Sequence, residues 1–237
     1  MKIYTPEMLV RYLSDDWILR LMRQVEQSTD VSFRVQQWHK DIDAKRMIYA
    51  DLYGDLVDIT ADAKRSVLDI GGGYTSMTRL LVKHCDYTLD DFMAHDEGDN
   101  VRRIEQELGR RFWIQEDWYQ YQPIRDFDVV IANDIFPDVD QRLELFIEKY
   151  LPLCKELRMS LTYYNLPKFY AAKRLDDTEI LTFLSYDGRI TRSILERFRD
   201  RVKGGWDEAA ADGMLEQAES LYKNGRQVMQ ITLLGGA

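Results

Sequence analysis

Several features that mark common protein classes are scarce in this chain of 237 residues. It has only two cysteines, Cys85 and Cys154, which are too few for a disulfide framework and lack metal-ligand spacing. No run approaches the ~18 apolar residues of a membrane span. The first residues also lack the apolar core of a signal peptide. These absences predict a cytoplasmic protein with no membrane span and with two free thiols.

Positive charge is also in short supply. The chain has 32 Lys and Arg residues against 41 Asp and Glu, which gives a formal net charge of −9. Because there is also no dense basic block, nucleic acids and anionic membranes are unsuitable as primary partners. We expect a small molecule or a glycan as the partner, and the sequence leaves a homo-oligomer open.

What the chain does have is a glycine-rich turn between an apolar run and a helical pattern. Val67–Ile70 is typical of a short buried strand, and Gly71, Gly72 and Gly73 follow it at once. Apolar residues then recur at helical spacing, at Met77, Leu80 and Leu81. In such a turn a ligand can approach bare backbone and the N–H groups of a helix N-terminus. We therefore predict that a nucleotide-like cofactor binds here.

Predicted strands and helices alternate from residue 66 onwards. The predicted strands are Val67–Ile70, Tyr87–Leu89, Phe112–Gln115, Phe127–Ala132, Leu157–Tyr163, Ile180–Tyr186 and Gln227–Leu234. The predicted helices are Thr75–His84, Glu97–Leu108, Asp138–Tyr150, Thr191–Val202 and Glu208–Lys223. This alternation indicates an α/β fold with a doubly wound, mostly parallel, Rossmann-like sheet. Ligands of such sheets bind at the carboxyl ends of the strands.

Residues 1–60 show helical signals instead. Ser14 is predicted to cap a helix whose apolar face includes Trp17 and Met22, and a second helix is predicted over Val31–Leu56. We interpret residues 1–60 as a helical cap and residues 61–237 as the ligand-binding domain. The alternative is that the N-terminal part is a structural extension without contact to a substrate.

Two cofactor classes use a glycine turn after the first strand. A dinucleotide site has the pattern G-x-G-x-x-G, but the third position here is Ser76. Asp69 also stands at the strand end just before the turn, where its negative charge opposes a pyrophosphate. A ligand with cationic groups and no phosphate, such as S-adenosylmethionine (SAM), fits that charge better.

The segment Asp69-Ile70-Gly71-Gly72-Gly73 resembles the first motif of the class I SAM-dependent methyltransferases, an acid followed by spaced glycines. The family pattern often has a further glycine where this chain has Thr75. The resemblance covers residues 60–165 and extends over four strand ends in the correct order. It implies a Rossmann-like methyltransferase sheet with SAM as the cofactor.

The resemblance also implies cofactor contacts at successive strand ends. An acid after the second strand, Asp90 or else Asp91, would hold the ribose hydroxyls. Asp117 and Trp118 after the third strand would contact the adenine, and Asn133 ends the fourth strand, which flanks cofactor and acceptor. The alternatives are that the three acids are solvated loop residues, that the tryptophan packs in the core, and that the glycines form only a tight turn.

Methyl transfer to a hydroxyl needs a base close to the fourth strand end. Asp134, directly after Asn133, and His95, in the loop after the second strand, are the candidates. Of the other two histidines, His84 is interpreted as structural and His39 as a surface residue.

Three carboxylates follow the fourth strand within one turn: Asp134, Asp138 and Asp140. We favour Asp138 as a helix N-cap, with Asp140 in the first helical turn. The alternative is a Mg²⁺ site that orients a sugar diol. The favoured interpretation contains no metal.

We predict a SAM-dependent O-methyltransferase that acts on a sugar or a sugar-containing molecule. Aromatic residues such as Tyr163, Tyr164 and Trp38 suit sugars, and the cap would form the acceptor wall. The chain is also similar to sugar O-methyltransferases of bacterial surface-polysaccharide pathways. One alternative is a small-molecule N- or O-methyltransferase of secondary metabolism. Another is a SAM-binding partner subunit without catalysis.

Overall fold

The computed structural model describes residues 1–26, 33–57, 64–93, 96–173, 180–216 and 219–236. The chain divides into two compact units. The glycine-turn unit is Val10–Ile131, and the C-terminal unit is Met1–Leu9 together with Ala132–Ala237. The prediction that residues 1–60 act as a cap on a domain of residues 61–237 stays a prediction.

Helices and strands alternate as the sequence predicts. The α-helices of the described residues are α1 (Pro6–Leu13), α2 (Trp17–Val25), α3 (Arg34–Asp41), α4 (Asp43–Tyr53), α5 (Ser76–His84), α6 (Gly98–Leu108), α7 (Leu143–Tyr150), α8 (Gly188–Glu196) and α9 (Glu208–Gly213). The strands are β1 (Lys2–Ile3), β2 (Ser66–Ile70), β3 (Asp86–Asp90), β4 (Trp113–Ile114), β5 (Phe127–Asn133), β6 (Cys154–Tyr163), β7 (Lys168–Lys173), β8 (Ile180–Ser185) and β9 (Gln227–Leu234). Single 3₁₀ turns occupy Gly54–Leu56, Leu151–Leu153 and Arg199–Arg201.

The sheet of the glycine-turn unit has the strand order β5-β2-β3-β4. β3 pairs in parallel with both β2 and β4, and Ile70 lies opposite Asp90 in the β2–β3 register. Because β2 and β3 run in the same direction, the glycine turn and the acids after β3 leave the sheet at one edge. Val67 and Leu68 of β2 are fully buried, as is typical of a parallel strand covered on both faces.

The C-terminal unit contains antiparallel strands. β9 pairs antiparallel with β6 on one side and with β1 on the other. The order is β1-β9-β6-β5, and the last two residues of β5 belong to this unit. β7 and β8 form a separate antiparallel hairpin. The prediction of an α/β fold with a mostly parallel, Rossmann-like sheet is confirmed.

The boundaries of the N-terminal helices differ from the prediction. Asp16, and not Ser14, caps α2, since its Oδ1 accepts a hydrogen bond of 3.0 Å from the Leu19 N–H. The single helix predicted over Val31–Leu56 is two helices, because Ile42 has extended backbone and ends α3. Asp43 then begins α4, where a carboxylate in the first turn is favourable. Val31 itself lies outside the described residues.

Predictions for the C-terminal unit were less accurate. The helix predicted from Glu208 to Lys223 ends at Gly213, since glycine is a poor helix former. Strands β1 and β7 were not predicted. β1 has only two residues, and Phe169 of β7 is 77% exposed, so neither strand shows the burial pattern on which strand prediction depends.

Two further predictions concern the whole chain. Neither Cys85 nor Cys154 forms a disulfide bond, as expected, and the structure places both in buried positions. Among the helices that the structure describes, none is both long enough and apolar enough to cross a bilayer.

Candidate functional site

The glycine turn leads from β2 into α5 in the glycine-turn unit. Gly71 and Gly73 have φ angles of +65° and +64°, which favour glycine. Gly73 also has no room for a side chain, because a Cβ there would lie 2.7 Å from Val35 Cγ2. Thr75 begins the helix: its side chain accepts a hydrogen bond of 3.2 Å from the Met77 N–H. The residue that replaces a family glycine is therefore the helix cap.

Asp69 lies beneath this turn and is only 2% exposed. Its Oδ1 accepts a hydrogen bond of 2.9 Å from the Tyr53 hydroxyl, and its Oδ2 accepts one of 2.7 Å from the Tyr87 hydroxyl. A Cβ on Gly72 would collide with the carboxylate, so the two groups are in direct contact. Burial raises the pKa of Asp69 to about 7, although both tyrosines lower it. Asp69 thus supports the turn, and its predicted contact to a cofactor stays a prediction.

Asp90, which ends β3, and Asp91, which follows it, have different surroundings. Asp91 faces the turn: its Oδ2 accepts from the Gly73 N–H at 2.9 Å, and its Oδ1 accepts from the Met93 N–H at 2.6 Å. Asp90 is 2% exposed, and within the described part of the chain its Oδ1 accepts one long hydrogen bond, of 3.4 Å, from the Glu116 N–H. Asp90 Oδ2 is buried and has no hydrogen-bond partner among the described residues. Such an oxygen is costly unless a ligand donates to it.

The electrostatics of Asp90 agree with that interpretation. Burial raises its pKa to about 7, the Glu116 N–H lowers it, and the neighbouring acids Asp91, Glu116 and Asp117 raise it further. Hydrogen-bond donors from a ligand would stabilise the ionised form. The two hydroxyls of a ribose are donors of this kind, and the ribose contact of Asp90 stays a prediction.

Asp117 and Trp118 follow β4 in the same unit. Asp117 is half-buried, and its Oδ1 accepts from the Tyr119 N–H at 2.8 Å, which forms a local turn. Trp118 is buried and meets the Tyr119 ring edge-on, with 5.7 Å between centroids. Both residues therefore have structural tasks, and their contact to an adenine stays a prediction.

A cavity of about 360 Å³ opens at the start of α6. It is lined by Glu97, Gly98, Asp99, Arg102, Trp113 and Gln115. The indole N–H of Trp113 donates to the Asp91 carbonyl at 2.7 Å, and the Arg102 guanidinium stacks on the ring at 4.2 Å. Trp113 thus connects the cavity wall to the backbone of the predicted cofactor acids. Sequence reasoning missed it, because in the sequence it is only one apolar residue of a predicted strand.

Asn133 ends β5, Asp134 follows it, and both lie in the C-terminal unit. The Ser160 hydroxyl donates to Asn133 Oδ1 at 2.7 Å and accepts from the Asp134 N–H at 2.9 Å. Asp134 Oδ1 lies 3.3 Å from Arg226 Nη1, and the Arg226 guanidinium stacks 4.2 Å from the centre of the Tyr222 ring. A carboxylate paired with a guanidinium is a weaker proton acceptor than a free one. The sequence offered no signal for Arg226, which is 92 positions away.

Asp138 is not a helix N-cap, contrary to the prediction. It is 5% exposed and accepts hydrogen bonds from the Tyr170 hydroxyl, at 3.1 Å, and from the Ser185 hydroxyl. α7 therefore begins only at Leu143. Asp138 Oδ2 also lies 3.9 Å from Arg226 Nη1. Two of the three acids of the Mg²⁺ alternative, Asp134 and Asp138, thus flank Arg226, whereas Asp140 pairs with Arg142. The described residues contain no group of three or more side chains suited to a metal ion.

The histidines complete the comparison with the predicted sites. His95, the second candidate base, lies outside the described residues. His39 is buried, with Nδ1 3.0 Å from the Val35 carbonyl, so the prediction of a surface residue is wrong. His84 ends α5, as expected.

Known proteins resemble the chain in fold. A scan against protein-family models finds no match, and neither does a search of the curated proteins. The Burkholderia thailandensis 1,6-didemethyltoxoflavin-N1-methyltransferase, solved with 1,6-didemethyltoxoflavin and S-adenosylhomocysteine (SAH), matches over 100% of this chain and 93% of its own, with 14% identity and a TM-score of 0.52. A Thermoplasma acidophilum protein matches over 93% and 98%, with 13% identity and a TM-score of 0.48. A SAM-dependent methyltransferase from Clostridium acetobutylicum matches over 95% and 100%, with 12% identity and a TM-score of 0.46. The chain thus has the Rossmann-like fold of SAM-dependent methyltransferases.

Proposed function

We propose that this protein is a SAM-dependent methyltransferase that acts on a small molecule. The observation that carries the proposal is the buried Asp90 Oδ2, which lacks a partner among the described residues. Asp90 ends β3, the strand that pairs with the strand before the glycine turn. A nucleoside ribose supplies the missing donors. The Burkholderia thailandensis N1-methyltransferase with the same fold was solved with SAH, which supports SAM rather than a dinucleotide.

Each site residue then has a defined task. Asp90 would hold the ribose, and Asp91 would fix the turn by its bond to the Gly73 N–H. Asp117 and Trp118 would contact the adenine. SAM supplies an activated methyl group on a sulfonium. The protein contributes alignment, for which effective-molarity arguments allow ~7–11 kcal/mol.

The first experiment is calorimetric titration of the full chain with SAH and, separately, with NADH. We expect SAH to bind and NADH not to bind. Absence of SAH binding would contradict the proposal, and NADH binding would revive the dinucleotide interpretation. Transfer of labelled methyl from SAM to sugar nucleotides, glycans and nitrogen heterocycles then tests catalysis. SAH binding without transfer to any of them favours the non-catalytic partner subunit.

Two acceptor classes are compatible with the proposal. One is a sugar hydroxyl, with Asp134 or His95 as the base. The other is a nitrogen or an acidic hydroxyl of a small metabolite, which requires a weaker base. The Asp134–Arg226 ion pair favours the second class, because a carboxylate bound to a guanidinium is better suited to orient an acceptor than to take its proton. The heterocycle in the Burkholderia enzyme belongs to this class.

Asp134→Asn distinguishes the two roles. If Asp134 orients the acceptor together with Arg226, both Asp134→Asn and Arg226→Gln should raise KM for the acceptor and change kcat little. If Asp134 is a general base, its loss should lower kcat by ~10²–10⁴-fold. The measurement is steady-state kinetics with the acceptor found in the screen. SAH affinity should stay the same in both variants and in Asp126→Asn, which removes an exposed carboxylate.

A further inference from the structure

Two N-terminal helices contact the glycine turn within the glycine-turn unit. At the start of α3, the Val35 side chain lies against Gly73 so closely that a Cβ on Gly73 would be 2.7 Å from it. The Phe33 ring, just before α3, packs against the Tyr74 ring with 4.3 Å between centroids. The backbone from Gly73 to Tyr74 is therefore covered by residues that the sequence assigned to a substrate cap.

Helix α4 reaches the turn through two tyrosines. Tyr53 donates to Asp69 from the last residue of the helix, and its ring stacks on that of Tyr49 at 4.0 Å with an interplanar angle of 10°. Tyr49 in turn forms a hydrogen bond with the Thr75 side chain, which caps α5. Helix α4 thus contacts both the strand before the turn and the residue that ends it.

Asp69 is held from the opposite side by Tyr87 of β3. Both tyrosine hydroxyls are buried with the carboxylate, so each carboxylate oxygen has a fixed donor. Because the carboxylate contacts Gly72, its position sets the position of the turn backbone. Because Gly72 has no side chain, no side-chain contact of Gly72 itself can fix the turn backbone.

We propose that Tyr53 and Tyr87 are positioning residues for the cofactor, which fix the backbone of the glycine turn through the Asp69 carboxylate. Helix α4, through Tyr53, thereby controls cofactor affinity. Neither the Tyr53 nor the Tyr87 hydroxyl needs to contact the cofactor itself. This inference rests on the proposed function, because it assumes that SAM or SAH binds at the turn.

The arrangement depends on the ionisation of Asp69. An ionised carboxylate accepts from both hydroxyls, whereas a protonated one carries a hydrogen of its own and cannot accept equally well on that oxygen. Burial raises the pKa of Asp69 to about 7, and the two tyrosine hydroxyls lower it. The titratable groups that face the carboxylate are Tyr49 and Tyr53 from α4, Tyr87 from β3, and Asp91 after β3. SAH should therefore bind more tightly as the pH rises through about 7.

The test compares Tyr53→Phe and Tyr87→Phe with Tyr12→Phe. The control removes a hydroxyl that also donates to a carboxylate, that of Asp16, at 2.8 Å. We expect about tenfold weaker SAH binding at pH 7.5 for each turn variant, because each loses one of the two hydroxyl donors that hold the Asp69 carboxylate. Because each variant loses a bond that lowers the pKa of Asp69, the pH midpoint of SAH binding should shift upward. Tyr12→Phe should change neither the affinity nor the midpoint.

Calorimetry from pH 6 to 8.5 gives both quantities, and chemical denaturation gives the stability of each variant. A lower stability with unchanged SAH affinity and an unchanged midpoint would overturn the inference, because the tyrosines would then be only structural. Asp69→Asn keeps the shape of the side chain but removes its charge. In that variant, the component of the pH dependence of SAH binding that Tyr53→Phe shifts should be absent. If the unmodified chain does not bind SAH, the proposed function fails instead, so the two failures are distinguishable.

Discussion

Asp90→Ala should weaken SAH binding by about 100-fold or more. Two ribose hydroxyls that donate to one buried carboxylate contribute ~1.5–3 kcal/mol each, and every 1.4 kcal/mol corresponds to about a tenfold change in affinity. In the unliganded chain, Asp90 Oδ2 is removed from water and has no hydrogen-bond donor among the described residues to compensate for the lost hydration. Ligand binding therefore supplies the hydrogen bonds that Asp90 lost on burial. For this reason, substitution of Asp90 should change SAH affinity more than substitution of an exposed acid.

The pH dependence of this effect has a definite sign. Burial raises the pKa of Asp90 from 3.8 to about 7, so the folded protein holds the proton more tightly than the unfolded chain. Without a ligand, the contribution of Asp90 to the free energy of unfolding is greatest at low pH and is lost as the pH rises through about 7. Ribose donors favour the ionised form, so SAH should restore part of that stability above pH 7. Asp90→Asn should remove both effects.

Calorimetry with SAH and chemical denaturation between pH 5 and 8.5 measure these quantities. Asp126→Asn is the matched control, because its carboxylate is exposed and lies at the start of β5. Equal SAH affinity of Asp90→Ala and Asp126→Asn would contradict the assignment of the ribose to Asp90. If only Asp91→Ala weakens SAH binding, the ribose contact should be assigned to Asp91, the alternative acid that the sequence allows.

The acids at the strand ends could be predicted because the relevant rule is local. Parallel strands end at one edge of the sheet, so Asp90 and Asp117 could be assigned to the same region once the strands were recognised. The buried pairs that shape the site depend instead on tertiary contacts. Asp69 finds Tyr53 sixteen positions earlier, and Asp138 finds Ser185 forty-seven positions later. No sequence pattern specifies such partners.

The same distinction explains the errors at helix ends. Ser14 and Asp16 are both good N-cap residues, and propensity alone does not choose between them. The Asp16 carboxylate is also fixed by the Tyr12 hydroxyl and by Arg46 Nε, each at 2.8 Å, and these contacts hold it at the start of α2. Asp138 had the right residue type for a cap, but its carboxylate is occupied by hydroxyls from the β7–β8 hairpin. In both cases a tertiary contact determines whether the residue acts as a helix cap.

Gly73→Ala should lower both the stability of the protein and its affinity for SAH. Its φ of +64° costs an L-residue ~1–2 kcal/mol, and the new methyl group would lie 2.7 Å from Val35 Cγ2. Overpacking of this kind costs typically ~1–3 kcal/mol more. If the turn moves to relieve the collision, it loses the hydrogen bond of 2.9 Å between the Gly73 N–H and Asp91. We therefore expect SAH affinity to fall by about 100-fold.

Gly109→Ala separates backbone strain from the collision. Gly109 has a φ of +63°, and a Cβ there would have no atom within 4 Å, so its substitution carries the same strain in open space. It should cost ~1–2 kcal/mol of stability and leave SAH binding unchanged. Val35→Ala in the Gly73→Ala background should restore part of the lost stability and of the lost affinity, because it removes the colliding methyl groups. If Gly73→Ala behaves like Gly109→Ala in denaturation and in calorimetry, the close contact between α3 and the turn has no effect on the site, since strain alone would then account for the whole change.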